Sequence, residues 1–206
     1  MEAEAIRDNA LSIADLLVTD FVGGPSVFPY QPSGHYRQIQ FPPRVYNASD
    51  DWRQYRRGVY MHWQRAFLHP MLVNFDAPSR DECAADRPLS NSPQQALTLL
   101  NDPTFVEASN HLAANLIAEC GSDDFPKFLD AAYLKALSRK PSQAELSGQQ
   151  KLFASQLAYF QKNPDEAKKL MSVGRVDASD FDLPKLAAYA QTCRVILNLH
   201  ETITRY

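Results

Sequence analysis

The spacing of apolar residues predicts helices over most of this chain. Near the start, apolar residues recur at intervals of three or four from Ile6 to Leu17, which predicts one helix over residues 1–20. A Gly-Gly-Pro triplet at residues 23–25 is expected to end it. No stretch alternates convincingly between apolar and polar residues with a period of two, so strands are expected to be few or absent. We therefore predict an all-α fold.

The second half of the chain combines apolar stripes with signals for helix starts. Short polar side chains accept hydrogen bonds from the unpaired N–H groups of a first helical turn, and proline is tolerated there because it has no N–H. These signals predict helices that begin after Asp102, Asp124, Ser142, Asn163 and Asp182. The first of them should end at Gly121, and a shorter helix is predicted over residues 92–100. We expect residues 103–206 to form a helical bundle with short connections.

The segment before this bundle has a different composition. Ten of the 14 prolines fall between positions 25 and 103, and 12 of the 22 aromatic residues fall between 21 and 75. Disordered segments contain few aromatic residues, so we interpret residues 21–102 as an ordered, irregular wrap whose rings cover the helices. Residues 51–67 fit a helix or an extended strand. Their four-residue apolar spacing favours a helix that ends at Pro70.

Composition and charge restrict the classes of function. The chain has 206 residues, 45% of them apolar and 22% charged, which is typical of a globular domain that buries its own core. A net charge of −3 argues against a nucleic-acid surface. No apolar run approaches the ~20 residues of a membrane span, and residues 1–14 lack the pattern of a signal peptide. We therefore expect one helical domain over residues 1–206, with no nucleic-acid partner and no membrane span.

The basic residues are divided unevenly along the chain. Residues 1–126 contain nine arginines and no lysine, and all eight lysines follow. Because the planar guanidinium suits fixed, bidentate contacts, we expect these arginines to take part in internal or interfacial networks. Asn198 and Glu201 should lie one turn apart on the terminal helix. The residues predicted to form a binding surface or polar network are Arg56, Arg57, Arg80, Arg87, Asn91, Gln94, Asn101, Asn198 and Glu201.

Metal and nucleophile motifs are missing. The five histidines show no H-x-x-x-H spacing, and no phosphate loop or nucleophile elbow occurs, so neither a metal nor a cofactor is predicted for this chain. Cys120 and Cys193 lie on helical stripes and are expected to be small core residues. Cys83 lies between Arg80 and Arg87, which would lower its pKa in a helix. A nucleophile also needs a base, and no histidine is near it in sequence, so Cys83 is a weak catalytic candidate.

Two carboxylates are the other weak catalytic candidates. Asp76 and Glu107 could form a paired site of the glycosidase kind. However, Asp76 precedes an Ala-Pro turn, in which aspartate commonly bonds its own backbone. Glu107 lies near the start of a helix, where the dipole favours an acid. Structural roles therefore explain both residues, and catalysis by this pair stays the less favoured interpretation.

Several long motifs together resemble a known family. In chain order they are GGPSVFPYQP, YRRGVYMHWQR, FDAPSRDEC, SNSPQQALTLLNDPTFVEA, LSRKPSQAEL and ILNLHETITRY. They are similar to the C-terminal domain of unknown function, of the DUF1553 type, in planctomycete cytochrome-c-domain-containing surface proteins. In such proteins a c-type haem domain and another helical domain usually precede this one. The departures are mild: Ser90, Ser92 and His200 stand where Thr or an acid is common.

The resemblance implies an exported protein, at the periplasm or the cell surface, of which this chain is a C-terminal fragment. It implies that any c-type haem belongs to the parent protein, and that the aromatic wrap lies against the preceding domain. The residues that match the family pattern are Arg57, Asp76, Arg80, Cys83, Arg87, Asn91, Pro93, Gln94, Asn101, Asp102, Pro103, Glu107, Asn198 and Glu201. The family has no established activity to carry over.

Three functional hypotheses follow. The favoured one is a non-catalytic helical module that docks a neighbouring domain of its parent and presents a groove for a glycan or protein partner. The second is an enzyme, or half of one, that acts on extracellular polysaccharide with a site near Asp76, Arg80, Arg87 and Glu107. The third is a docking accessory to a haem electron-transfer domain.

Overall fold

A computed structural model describes residues 1–31, 46–64, 68–79, 85–88 and 90–204. The fold is all-α, as predicted. The α-helices are α1 (Ala3–Ile13), α2 (Pro70–Asn74), α3 (Pro93–Asn101), α4 (Pro103–Cys120), α5 (Phe125–Leu137), α6 (Gln143–Lys162), α7 (Pro164–Met171), α8 (Leu183–Leu197) and α9 (His200–Ile203). Two short 3-10 helices, Trp52–Tyr55 and Gly58–Tyr60, lie between α1 and α2.

The helix starts in the second half lie at the predicted capping residues. The Asp102 carboxylate accepts a hydrogen bond from the Thr104 N–H at 2.9 Å and begins α4. At the start of α6, the Ser142 N–H donates to Glu145 Oε2 at 2.7 Å, and the Glu145 N–H donates to Ser142 Oγ at 3.3 Å. This reciprocal pair is the capping box that the sequence predicts. Each such cap stabilises its helix by about 1 kcal/mol.

Helix α4 is the centre of the bundle, because 12 of its 18 residues are buried. Its most extensive contact is with α8, which also packs on α6. An aromatic cluster joins α5, α6 and α8. The Tyr189 ring centroid lies 4.3 Å from that of Phe128 and 4.5 Å from that of Phe153, and Phe153 lies 4.8 Å from Phe125. Such pairs add about 1 kcal/mol each beyond the area they bury, and they fix these three helices together.

The first helix is shorter than predicted. It ends at Ile13, whereas the apolar spacing extended to Leu17 and predicted a helix over residues 1–20. The reason is a turn at Asp15, whose φ of 59° is left-handed. The N–H groups of the next two residues then bond back to the Leu11 carbonyl, which closes the helix.

The predicted helix over residues 51–67 is wrong. The described part of this stretch forms the two 3-10 helices and extended backbone, and residues 65–67 lie outside the described ranges. Its main-chain groups bond to distant parts of the chain instead of to the next turn. The Arg7 side chain donates hydrogen bonds to two carbonyls of this stretch, and the Val18 N–H donates to the Tyr55 carbonyl at 2.8 Å. Tertiary contacts therefore override the local helical preference.

Three other helix boundaries differ from the prediction. Pro70 begins α2 rather than ending a helix, consistent with the tolerance of proline in a first turn. Helix α7 ends at Met171, before Gly174. Asn198 caps the end of α8, and Glu201 lies in the separate helix α9, so the two residues do not share one terminal helix.

Candidate functional site

A fully buried arginine joins α1 to the irregular wrap. The Arg7 guanidinium donates to the carbonyl of Arg56 at 2.8 Å and to that of Gln54. Burial lowers its pKa, and the nearby carboxylates of Asp8, Asp102 and Glu107 oppose that shift. A buried charge is tolerated only where polar groups replace water. Here carbonyl dipoles and carboxylates take that role, so Arg7 holds the first 3-10 helix against α1.

The second 3-10 helix lies directly on the backbone of α1. The Gly58 N–H donates to Asp8 Oδ1 at 2.6 Å. A Cβ atom at Gly58 would lie 2.9 Å from the Glu4 carbonyl oxygen, so only glycine permits this approach. Arg7 and Gly58 therefore anchor the same segment at two neighbouring points of one helix.

A second buried arginine, Arg56, organises the loop after α1. It is 1% exposed and donates to the carbonyls of Gly23 and Pro25. Its guanidinium carbon lies 4.3 Å from the centroid of the Tyr60 ring and 5.0 Å from that of Phe21, within the range of cation–π attraction. Arg56 thus fixes both the backbone and the rings of this loop, as the uneven arginine distribution suggested, although its partners are carbonyls and rings rather than carboxylates.

Beside Arg56, apolar side chains reach the surface. Phe21 and Trp52 are each 45% exposed, and their rings meet edge to face with centroids 5.2 Å apart. Val22, next in the chain, is 82% exposed. We call Phe21, Val22 and Trp52 the aromatic surface. Contiguous exposed apolar groups of this kind are typical of interaction sites.

Glu107 lies in a buried polar network. Its carboxylate Oε1 accepts from the Tyr55 hydroxyl at 2.6 Å and from the Arg175 N–H at 2.8 Å, and the residue is 1% exposed. Burial raises the pKa of Glu107, and these hydrogen bonds oppose the shift. Burial also raises the pKa of Asp102, at the start of the same helix, to about 6. The network ties the wrap, α4 and the loop after α7 together.

Asp76 lies in a different environment. Its backbone is left-handed, with φ 56°, and its Oδ2 accepts from the Ser90 N–H at 2.8 Å and from Ser90 Oγ at 2.6 Å. Asp76 lines a pocket of about 170 Å³, and Glu107 is not among the residues of that pocket. In the described ranges the two carboxylates also share no hydrogen-bond partner. Each carboxylate therefore has its own set of structural partners.

The other predicted site residues are dispersed. Arg87 forms ion pairs with Glu4 at 3.0 Å and Glu2 at 3.2 Å, which hold residues 85–88 on α1. Arg57, Asn91, Gln94 and Asn101 are exposed, and the Asn101 amide bonds the Leu97 carbonyl of its own helix. Asn198 has a buried Oδ1 for which the described ranges offer no partner, and Glu201 pairs with Arg139 at 2.7 Å.

Arg80 and Cys83 lie outside the described residues. Of the other cysteines, Cys193 is fully buried and Cys120 is partly buried, and both are free. Burial raises the pKa of the Cys193 thiol, which makes it inert.

Sequence reasoning missed several residues of these networks. Arg7 and Arg175 lie outside every quoted motif, and Tyr55 lies in one without having been predicted as a site residue; their partners are 47 to 68 positions away. The only sequence signal for Arg7 was a basic residue within the apolar spacing of the first helix. A charge in that position predicts a buried, paired group.

No helix of the described ranges is both long and apolar enough to cross a membrane. Within the same ranges, no group of three or more His, Cys, Asp or Glu residues is arranged to hold a metal ion.

The fold and the networks define a class of protein: an all-α module with an irregular, arginine-anchored N-terminal wrap. Residues 1–153 match the family model PSD1, described as "Protein of unknown function (DUF1553)". The chain therefore belongs to the DUF1553 family, which confirms the resemblance inferred from the motifs. The match includes LSRKPSQAEL and ends before ILNLHETITRY. No curated protein and no solved structure matches the chain.

Proposed function

We propose that this chain is a non-catalytic docking module whose aromatic surface binds a neighbouring domain of its parent protein. The observation that carries the proposal is the half-exposed pair of Phe21 and Trp52, of which Phe21 packs on the buried Arg56 guanidinium. Aromatic residues are enriched at protein interfaces and dominate their binding energy.

The exposed area is large enough to contribute to binding. A fully buried aromatic side chain covers about 150–250 Å², so each ring that is 45% exposed has roughly 70–110 Å² left to bury. At about 25 cal/mol per Å², removing this area from water is worth about 2 kcal/mol per ring, before the entropy and desolvation costs of association are subtracted. Val22, which is 82% exposed, adds a similar amount.

The rigidity of the surface also supports docking. The Gly23 N–H donates to the Tyr60 hydroxyl at 3.1 Å, and Arg56 bonds the carbonyls on either side of Gly24. A Cβ atom at Gly24 would lie 2.9 Å from the Phe21 ring, so the ring packs closely on the loop. A surface that is already ordered loses little entropy on binding, which favours affinity.

Docking is preferred to catalysis because of the two carboxylates. The enzyme hypothesis needed Asp76 and Glu107 to converge. Asp76 is bonded to Ser90, and Glu107 is bonded to Tyr55 and the backbone of Arg175. Each is explained by the structural bonds it makes.

Calorimetry with purified proteins tests the proposal. The chain is titrated with the domain that precedes it in its parent protein. We expect association, and we expect Trp52→Ala to weaken it at least tenfold. The matched control is Tyr159→Ala, which removes a ring that is 49% exposed and packs edge to face on Phe160 at 5.3 Å, on helix α6. Absence of association, or equal losses for both variants, would refute the docking function.

A further inference from the structure

The pocket beside Asp76 joins four segments that are distant in sequence. Its walls come from the N-terminus with α1, from the turn after α2, from the start of α3 and from α9, and its volume is about 170 Å³. The polar residues on the walls are Asp76, Ser90, Asn91, Gln95, His200 and Thr204. Ile6, Phe75 and Ile203 form its apolar side. A few convergent polar groups over an apolar floor are typical of a small-molecule site.

The chemistry of these side chains suits hydroxyl groups. Serine, threonine, asparagine and glutamine each donate and accept hydrogen bonds, as a hydroxyl does, and the Asp76 carboxylate accepts. Among the described residues, no arginine or lysine lines the pocket, so within them an anionic ligand would meet the Asp76 charge without a side-chain guanidinium or ammonium to offset it. The other titratable groups on the walls are His200 and the amino group of Met1, which donates to the Ile203 carbonyl at 3.0 Å.

Two of the wall groups have unused bonding capacity. Gln95 is 5% exposed, yet its amide makes only long bonds: 3.2 Å to Ser90 Oγ, 3.4 Å to Asp76 Oδ2 and 3.4 Å from the Ser92 N–H. Within the described ranges Asp76 Oδ1 accepts no hydrogen bond, whereas Oδ2 accepts from both the N–H and the hydroxyl of Ser90. Both hydrogens of Gln95 Nε2 are engaged, but Gln95 Oε1 accepts a single bond, so Gln95 Oε1 and Asp76 Oδ1 offer two acceptors to the hydroxyl groups of a ligand.

We propose that this pocket binds a neutral, polyhydroxylated ligand of the size of one sugar residue. Hydroxyl groups of the ligand bond Asp76 Oδ1 and the Gln95 amide, and its C–H face lies on Phe75 and Ile203. The volume equals about five or six water molecules at ~30 Å³ each, so it holds one ring and not a longer chain. The site is separate from the aromatic surface, so this inference does not depend on the docking function.

Calorimetry and ligand-observed NMR test the proposal with a panel of neutral hexoses and pentoses and their methyl glycosides. A ligand of about a dozen atoms in such a pocket should bind with a Kd on the order of 1 mM. Binding of the free sugar but not of its methyl glycoside would indicate a free monosaccharide. Binding of both would indicate a residue at the end of a glycan. Glucuronate, which is anionic, should bind at least tenfold more weakly than glucose.

The variants make the test specific. Asp76→Asn should weaken binding at least tenfold. The matched control is Asp177→Asn, because Asp177 accepts from the N–H and the hydroxyl of Ser179, at 3.0 and 2.7 Å, in the same arrangement but outside the pocket. Asn91→Ala changes an exposed wall residue, so it should reduce affinity without unfolding the chain. If Asp76→Asn does not fold, the sugar affinity of Asn91→Ala tests the proposal in its place.

Two results would overturn the proposal. One is that no neutral sugar of the panel binds below about 50 mM, some fifty times the expected Kd. The other is that the sugar affinity of the pocket variants equals that of Asp177→Asn, which would place any binding elsewhere on the chain.

Discussion

Replacing Gly174 with alanine should be among the most damaging single-methyl changes in this chain. A Cβ atom at this position would lie 2.3 Å from both Cγ and Cδ of Glu107, and 2.5 Å from its Oε1. Carbon atoms pack at about 3.5–4.0 Å, so the Glu107 side chain would have to move by more than 1 Å. It cannot do so and keep its bonds to the Tyr55 hydroxyl and the Arg175 N–H.

The expected loss in the free energy of unfolding has two contributions. Gly174 has φ 81°, and a residue with a Cβ loses about 1 kcal/mol in that conformation. A hydrogen bond to a charged group contributes about 1.5–3 kcal/mol, and at least one of the two at Glu107 would be lost. We therefore expect Gly174→Ala to lower the free energy of unfolding by about 4 kcal/mol. For a chain of this size that corresponds to a drop in Tm of roughly 10 °C.

Gly121 supplies the matched control for the backbone term. Its φ is 82°, and a Cβ atom there would meet nothing within 4 Å. Its ψ of 163° lies in a region that essentially only glycine adopts, so Gly121→Ala should cost about 1–3 kcal/mol through the backbone alone. Urea unfolding, followed by far-UV circular dichroism, measures both variants on the same scale.

A double-mutant cycle identifies Glu107 as the cause. In a Glu107→Ala background the clash is absent, so Gly174→Ala should cost only about 1 kcal/mol, a coupling of about 3 kcal/mol. The reasoning is refuted if Gly174→Ala costs no more than Gly121→Ala, or if its cost is the same in both backgrounds.

Three further changes test the other networks. Tyr55→Phe removes one bond to the buried Glu107 and should cost about 2 kcal/mol in urea unfolding; a loss under 0.5 kcal/mol would contradict it. Burial raises the folded pKa of Asp102 from 3.8 to about 6, so its contribution to stability is full below pH 3.8 and is lost as pH rises through 6. The free energy of unfolding of Asp102→Asn, relative to that of wild type, should therefore rise by up to about 3 kcal/mol between pH 4 and pH 7. If this stability difference stays constant over that range, the raised pKa of Asp102 is contradicted. Arg139 pairs with Glu145 and Glu201 at the surface, so Arg139→Ala should cost less than about 1 kcal/mol, and 1 M salt should abolish that loss.

The helices of the bundle could be predicted because the features that specify them lie within a few residues of one another. A capping box such as that of Ser142 and Glu145 acts within one turn, and an apolar stripe is read within one helix. The boundaries failed where the deciding contact was distant. Residues 51–67 lost their helical preference to Arg7 and Val18, which lie more than 30 positions away along the chain.

The sequence predicted which residue types the candidate site contains, but not which of them contact one another. The sequence identifies Asp76 and Glu107 as a possible pair of catalytic carboxylates. Their separate surroundings, a pocket and a buried network, depend on Ser90, Tyr55 and Arg175, whose pairing with these carboxylates no motif indicated. The pairing of residues 52 or 68 positions apart is not encoded in any short window.

The sequence by itself determined that the chain is helical, where most helices of the bundle begin, and which family it belongs to. Those properties rest on periodicity, capping and motif, all of which act over a few residues. Only the tertiary structure decided that Arg7 and Arg56 are buried, that Phe21 and Trp52 share a surface and that Asp76 lines a pocket. The physical reason is that a buried charge or an exposed ring is defined by its neighbours in space, and those neighbours are brought together only by the fold.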